Sequence, residues 1–204
     1  MYKKPIIVFE GIEGAGKSHH INNVANYLKK NGRKFIKIRE PGGNKNSEKI
    51  RKLILTNKSN FDKTTDLLLY FASRNENIIN VIKKNFKKKI ILIDRFKDST
   101  AAYQHYGMGI DINFINYINN HLLRNIKISF TFLHIVDQRN MRIRLLKRKN
   151  LNRYDKFKMS FYKKVQNGYI KMANNDKKKY LKINSNLDIY MNKKIIIDKV
   201  KKII

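Results

Sequence analysis

An apolar run, a glycine-rich octapeptide and a helix-period segment follow one another without interruption between Ile6 and Lys30. The octapeptide Gly11-Ile12-Glu13-Gly14-Ala15-Gly16-Lys17-Ser18 satisfies G-x-x-x-x-G-K-[ST] at every position. It follows Ile6-Ile7-Val8-Phe9, which reads as a buried strand. It opens a helix over Lys17–Lys30 with Ile21, Val24, Ala25 and Leu28 on one face. A strand that turns tightly into a helix presents the helix's unpaired N–H groups to the loop, and glycines let the backbone wrap a phosphate closely. Gly11 to Ser18 are therefore the expected nucleotide-binding residues. Lys17 would bridge two phosphate oxygens of ATP, and Ser18 would ligate Mg²⁺.

The rest of the chain repeats the alternation. Strands are expected at Phe35–Ile38, Ile90–Ile93, Phe130–Ile135 and Tyr180–Ile183. Helices are expected at Glu48–Leu55, Thr64–Phe86, Ser99–Tyr106, Asp111–Leu123, from about Arg139, at Phe161–Asn174 and after Leu187. Strands separated by helices imply right-handed crossovers and a parallel sheet covered on both faces. The expectation is one α/β domain over residues 1–204, a three-layer P-loop NTPase fold with a parallel five-stranded sheet. The third strand ends on Asp94, a carboxylate well placed at a strand's carboxyl end to hold the metal's water shell.

A formal net charge of +31 invites a nucleic-acid reading, but its make-up argues otherwise. Lysine supplies 35 of the 46 cations and arginine 11, and the chain also carries 26 asparagines and 30 isoleucines, all three abundant types having A/T-rich codons. Runs such as Lys87-Lys88-Lys89 fall at expected helix ends, where cations are favourable. No zinc-finger spacing, RNA-binding aromatic signature or basic-zipper heptad accompanies them. No specific nucleic-acid partner is expected. The absence of cysteine excludes disulfides and thiolate chemistry. No apolar run approaches the roughly 18 to 20 residues that cross a bilayer, so no membrane association is expected and a cytoplasmic location is.

Several further segments together resemble one family. They are Phe9–Ser18, Arg39-Glu40-Pro41-Gly42-Gly43, Glu48-Lys49-Ile50-Arg51, Tyr70–Arg74, and Asp94-Arg95 with Ser99-Thr100-Ala101-Ala102-Tyr103-Gln104. The last is a segment around Asn152-Arg153-Tyr154-Asp155. In this order and spacing they resemble the thymidylate (dTMP) kinases, nucleoside monophosphate kinases of the bacterial type with a basic lid. The resemblance implies transfer of the γ-phosphoryl group of ATP to dTMP with Mg²⁺, a step toward dTTP, by a homodimer. It implies that Arg39 and Arg95 grip the dTMP phosphate, that Tyr70 stacks on thymine and that Arg74 hydrogen-bonds a thymine carbonyl. Glu13 would accept from the sugar 3′-OH, and Ser99, Thr100 and Gln104 would complete the acceptor site. Tyr103 would crowd the 2′ position.

Some members of that family place an arginine inside the phosphate loop, where this chain has Gly14. Members without it resemble this chain in carrying a basic lid, here about residues 144–158. Arg148 and Arg153 are the expected catalytic lid residues beside Lys17 and Arg95, with Arg144 and Lys149 as lesser candidates. The chain departs from the family pattern at His105, Met108 and Asn152.

Overall fold

The structure, a computed structural model, describes residues 3–148 and 151–204. Strands β1 (Ile6–Gly11), β3 (Ile90–Asp94) and β4 (Phe130–Ile135) are apolar and buried along almost their whole length. Such strands need cover on both faces, and a parallel sheet with crossover helices provides it. They form the centre of a five-stranded parallel sheet of order β2–β3–β1–β4–β5. The edges are β2 (Phe35–Arg39) and β5 (Tyr180–Asn184).

Side chains alternate across this sheet. Ile7, Phe9, Leu92 and Phe132 pack with Ile21, Val24 and Leu28 of α1 (Lys17–Lys30) and Ile196 and Val200 of α9 (Ile189–Lys201). On the opposite face Ile6, Val8, Ile91 and Ile93 pack with Ile78, Ile82 and Phe96. A third cluster lies beyond the carboxyl ends of the strands. There Ile12, Ala15, Leu133 and Met141 of α7 (Gln138–Leu146) join Tyr162, Val165 and Tyr169 of α8 (Met159–Asn175). The register pairs Phe9 and Arg39 with Asp94, and Gly11 with His134. The glycine-rich loop, Arg39 and Asp94 therefore open onto one edge of the sheet, where open α/β sheets place their ligands.

The element boundaries differ from expectation in two instructive ways. Helix α2 (Lys45–Leu55) starts three residues before the expected Glu48, because the Asn44 side chain accepts from the N–H groups of Asn46 and Ser47 at 2.9 and 3.1 Å and caps it. The expected helix 64–86 is α3 (Lys63–Asn77), a π-helical turn at Ile78–Ile82 and the short α4 (Lys83–Asn85). Likewise α5 (Lys97–Thr100) passes into a π-helical stretch at Ala101–Gly107 before α6 (Ile112–Leu122). A pattern tuned to 3.6 residues per turn cannot register such widened turns. No helix among the described residues is long and apolar enough to cross a membrane.

Candidate active site

Gly11 brings β1 so close to β4 that a Cβ there would lie 2.3 Å from the His134 carbonyl oxygen, and its φ is +137°. Gly16, at φ +84°, stands at the threshold of α1, which has no side-chain cap. The N–H groups of that first turn are left to whatever occupies the loop, and the helix dipole favours an anion. The Lys17 side chain is buried and folded back, Nζ donating to the carbonyls of Gly11 and Ile12 at 2.9 and 2.8 Å. Burial, reinforced by the charge of Arg95, pulls its pKa down to about 8. Two clamps hold the loop from outside. Arg144 donates to Gly14 O at 2.9 Å and Ser185 O at 2.8 Å, and the Ser185 hydroxyl donates to Ala15 O at 2.8 Å.

The Ser18 hydroxyl donates to Asp94 Oδ2 at 3.0 Å. A hydroxyl and a carboxylate so placed fit a hard, oxygen-preferring cation that takes its remaining ligands from phosphate and water. Among the described residues no cluster of three or more His, Asp or Glu side chains could hold a metal ion unaided.

Beyond the loop lies a cavity of about 220 Å³, lined by Lys17 and Ser18 and by Arg39, Arg51 and Arg95 among others. Arg95 donates to Glu13 at 2.8 Å, and Arg51 donates to the Pro41 carbonyl at 2.6 Å. Burial, helped by the charge of Arg39, lowers the Arg51 pKa. Arg39 is half-exposed and pairs with Glu48 at 3.0 Å. Burial works against the Glu13 carboxylate, yet Arg95 and Lys17 hold its pKa below the usual range. Three guanidiniums and an ammonium against two partnering carboxylates make a site for a multivalent anion.

The base end is built differently. Gln104 is fully buried, lines the cavity, and neither its Oε1 nor its Nε2 has a hydrogen-bond partner. Native interiors rarely leave such an amide unpaired, so its donor and acceptor point to a ligand edge. Tyr70 and Tyr103 line the same space; Tyr103 lies under the Arg95 guanidinium at 5.1 Å and donates to Glu13. Arg74 is buried at 1% exposure and held by Glu40 Oε2 and Asn119 Oδ1, each at 2.8 Å, and by Phe96 O and Thr100 Oγ1 at 3.0 and 2.8 Å. Four of the five N–H donors of a guanidinium are thus committed to protein. Arg74 is first of all a strut joining α3 to the Glu40-Pro41 turn, α5 and α6.

The lid arginines part company. Arg148 lines the cavity and donates to Asp155 at 2.7 Å, which closes a capping box with Asn152 at the 3₁₀ turn Arg153–Lys156. Arg153 is turned away from the cavity. It pairs with Asp66 of α3 and covers the Tyr154 ring at 5.1 Å. Its expected place over the phosphates is not the one it occupies, because a buried carboxylate claims it. Arg144 grips the outside of the loop, and Lys149 lies outside the described residues.

Comparison with known proteins agrees with this geometry. The family model described as thymidylate kinase matches residues 9–196. The chain is 39% identical over 197 residues to the thymidylate kinase of Sulfurihydrogenibium sp. (strain YO3AOP1), covering 96% of each chain. It is 40% identical over 168 residues to that of Thermosipho africanus (strain TCF52B), covering 82% and 83%. The chain belongs to the thymidylate kinase family. A solved thymidylate kinase from Ehrlichia chaffeensis superposes with a TM-score of 0.80 at 30% identity, over 98% of this chain and 99% of that one. The P-loop NTPase fold expected from the strand–loop–helix pattern is the one found.

Within this thymidylate kinase fold, the cavity gathers Glu13, Lys17, Ser18, Arg39, Tyr70, Arg74, Asp94 and Arg95 from the expected set. It also gathers Ser99, Thr100, Tyr103, Gln104 and Arg148. Sequence reasoning left Arg51 and Tyr154 without a role, although both line the cavity. For Arg51 a signal existed: it follows Glu48 by three residues, so both lie on one face of α2, toward Arg39. Glu10, fully buried, was likewise left without a role, although it stands within the Phe9–Ser18 segment.

Proposed function

We propose that this nucleoside monophosphate kinase transfers the γ-phosphoryl group of ATP to dTMP, giving ADP and dTDP. One observation carries the reading: an unpartnered Gln104 amide and the guanidiniums of Arg39, Arg51 and Arg95 share one cavity with Glu13, Lys17 and Ser18 of the glycine-rich loop. The Gln104 amide offers one acceptor and two donors, which suits an imide edge such as that of thymine. Tyr70 offers a ring face to the base, and Arg51 and Arg95 neutralise the monophosphate, with Arg39 joining if it exchanges Glu48 for the ligand.

The monophosphate oxygen attacks the γ-phosphorus in line, and the bond to the β,γ-bridging oxygen breaks. The attacking monophosphate oxygen is already ionised near pH 7, so no general base is needed. Lys17, Arg95 and Arg148 stabilise the charge of the transferring group, and Glu13 orients Arg95 and the sugar. Mg²⁺ bound beside Ser18 and Asp94 would neutralise phosphate charge. A nucleoside acceptor is the weaker reading, since three guanidiniums would then face a neutral hydroxyl.

Dimerisation is part of the proposal. Leu68, Ala72 and Asn75 of α3 and Ile79 of the π-helical turn after it are exposed, Leu68 and Ile79 at 49% and 44%, and together they form a stripe that suits a second copy of the chain. ADP release measured over dTMP, dUMP, dCMP, dGMP, AMP and thymidine tests the acceptor. A clear preference for dTMP is expected; equal rates for all monophosphates would defeat the substrate assignment. Light scattering across a concentration series reads the dimer.

A further inference from the structure

Arg95 is the one non-glycine residue among those described with a left-handed backbone, at φ +66°. Its neighbour Phe96 is also irregular, at φ −146° and ψ −142°. These two residues turn the chain from β3 into α5, and the turn aims the Arg95 guanidinium at the cavity. A side chain with a Cβ does not choose that backbone conformation by itself, so something must hold it.

Glu10, the penultimate residue of β1, is fully buried immediately behind the turn. Its Oε1 accepts from the N–H groups of Phe96 at 2.8 Å and Ser99 at 3.3 Å. Its Oε2 accepts from the Ser99 hydroxyl at 2.6 Å and the Tyr169 hydroxyl at 3.2 Å. Tyr169, from α8, in turn accepts from Arg95 Nη1 at 3.3 Å and meets the Ser99 hydroxyl at 2.6 Å. The carboxylate thus ties together both ends of the turn and the helix behind it. A buried carboxylate that satisfies two backbone donors and two hydroxyls is costly to remove, because each partner is left unpaired.

We propose that Glu10 is a positioning residue for the acceptor site: it holds the Arg95–Ser99 turn so that Arg95 faces the acceptor phosphate. It does not line the cavity. Glu10 acts through Arg95 and the acceptor side, since its hydrogen-bond partners belong to the turn and to α8 and none to the glycine-rich loop. The inference rests on the dTMP reading only for the identity of the acceptor.

Glu10→Gln and Glu10→Leu separate the possibilities. Glutamine keeps an acceptor for both N–H groups and can donate to either hydroxyl, so KM for dTMP and kcat should stay within about threefold of the parent. Leucine fills the space without an acceptor. It should raise KM for dTMP at least about tenfold while KM for ATP stays within about twofold, as expected for loss of a charge-assisted contact to one substrate. An unchanged KM for dTMP in Glu10→Leu overturns the proposal. So does a joint rise in both KM values, which would mark a general loss of structure. Should Glu10→Leu not fold, Glu10→Asp keeps the charge but withdraws the oxygens by one methylene, and the same selective rise is expected. A crystal structure of the leucine or aspartate variant decides the matter without any substrate: Arg95 should leave the left-handed region, and its retention there overturns the proposal. Failure of the parent to use dTMP would sink the acceptor assignment and leave this structural test standing.

Discussion

The two halves of the cavity are built by different means. The donor half is made of backbone: Gly11, Gly14 and Gly16 at positive φ, the uncapped start of α1, and a lysine from the same eight residues. The proposed acceptor half is made of side chains drawn from β2, α2, α3, the turn after β3, α5 and the π-helical stretch that follows, and its Arg39, Arg74 and Arg95 are each held by a carboxylate. Glu48 holds Arg39, Glu40 holds Arg74, Glu13 meets Arg95, and Glu10 braces the turn that carries it. Backbone recognition needs only a local conformation, so a short motif specifies it. Side-chain recognition needs distant elements to arrive together, so it depends on buried polar struts and is the more fragile of the two.

The largest effect should fall on the backbone half. Lys17→Ala removes the cation proposed to stabilise the transferring phosphoryl group, and kcat should fall by about 10²- to 10³-fold or more with every acceptor. The fold should be unaffected, as melting and circular dichroism would record. A fall confined to dTMP would break the division between halves.

Next comes the strut. Arg74→Met leaves Glu40, which is 5% exposed, without its partner. Breaking such a buried pair costs about 3–5 kcal/mol of stability, readable as a shift of the urea midpoint. The variant should lose stability before it loses base selection. Loss of dTMP preference at parental stability would reverse that order and make Arg74 chiefly a base contact.

The smallest effect tests what lies beneath the loop. His134 and His20 are buried and stacked at 5.3 Å, and neither nitrogen of His134 has a partner. Burial and then His20 and Lys17 push the His134 pKa well below 6.5, and burial with His19 brings His20 to about 4. Depressed histidine pKa values mean that the unfolded chain binds more protons below pH 6.5, so stability falls as pH drops from about 6.5 toward 4. His134→Leu should flatten part of that slope and add about 1 kcal/mol near neutrality, since it removes an unpaired polar group. Denaturant midpoints between pH 4.5 and 7.5 would show it. An unchanged slope would mean that the imidazoles are not what acid attacks.

Legibility in the sequence followed the same division. The glycine-rich octapeptide, the apolar strands and the lysine-rich surface could be read directly, because each rests on residues adjacent in the chain or on a period of two or 3.6. Helix starts moved by a few residues where Asn44 supplied a cap, and the π turns at Ile78–Ile82 and Ala101–Gly107 escaped a periodicity argument. Arg153 and Arg148 are indistinguishable as sequence, two arginines in one basic segment. Only the fold brings Asp66, from α3, to the first and leaves the second in the cavity.

What the chain order determined by itself is the parallel α/β architecture and the place where phosphate binds, since both arise from local backbone conformation and apolar pattern. What the tertiary structure decided is the division of labour among the charged residues. A guanidinium's role depends on which carboxylate reaches it and on how much water is left around it. Those are set by residues such as Glu10 and Arg95, or Glu40 and Arg74, that meet only when the strands and helices pack.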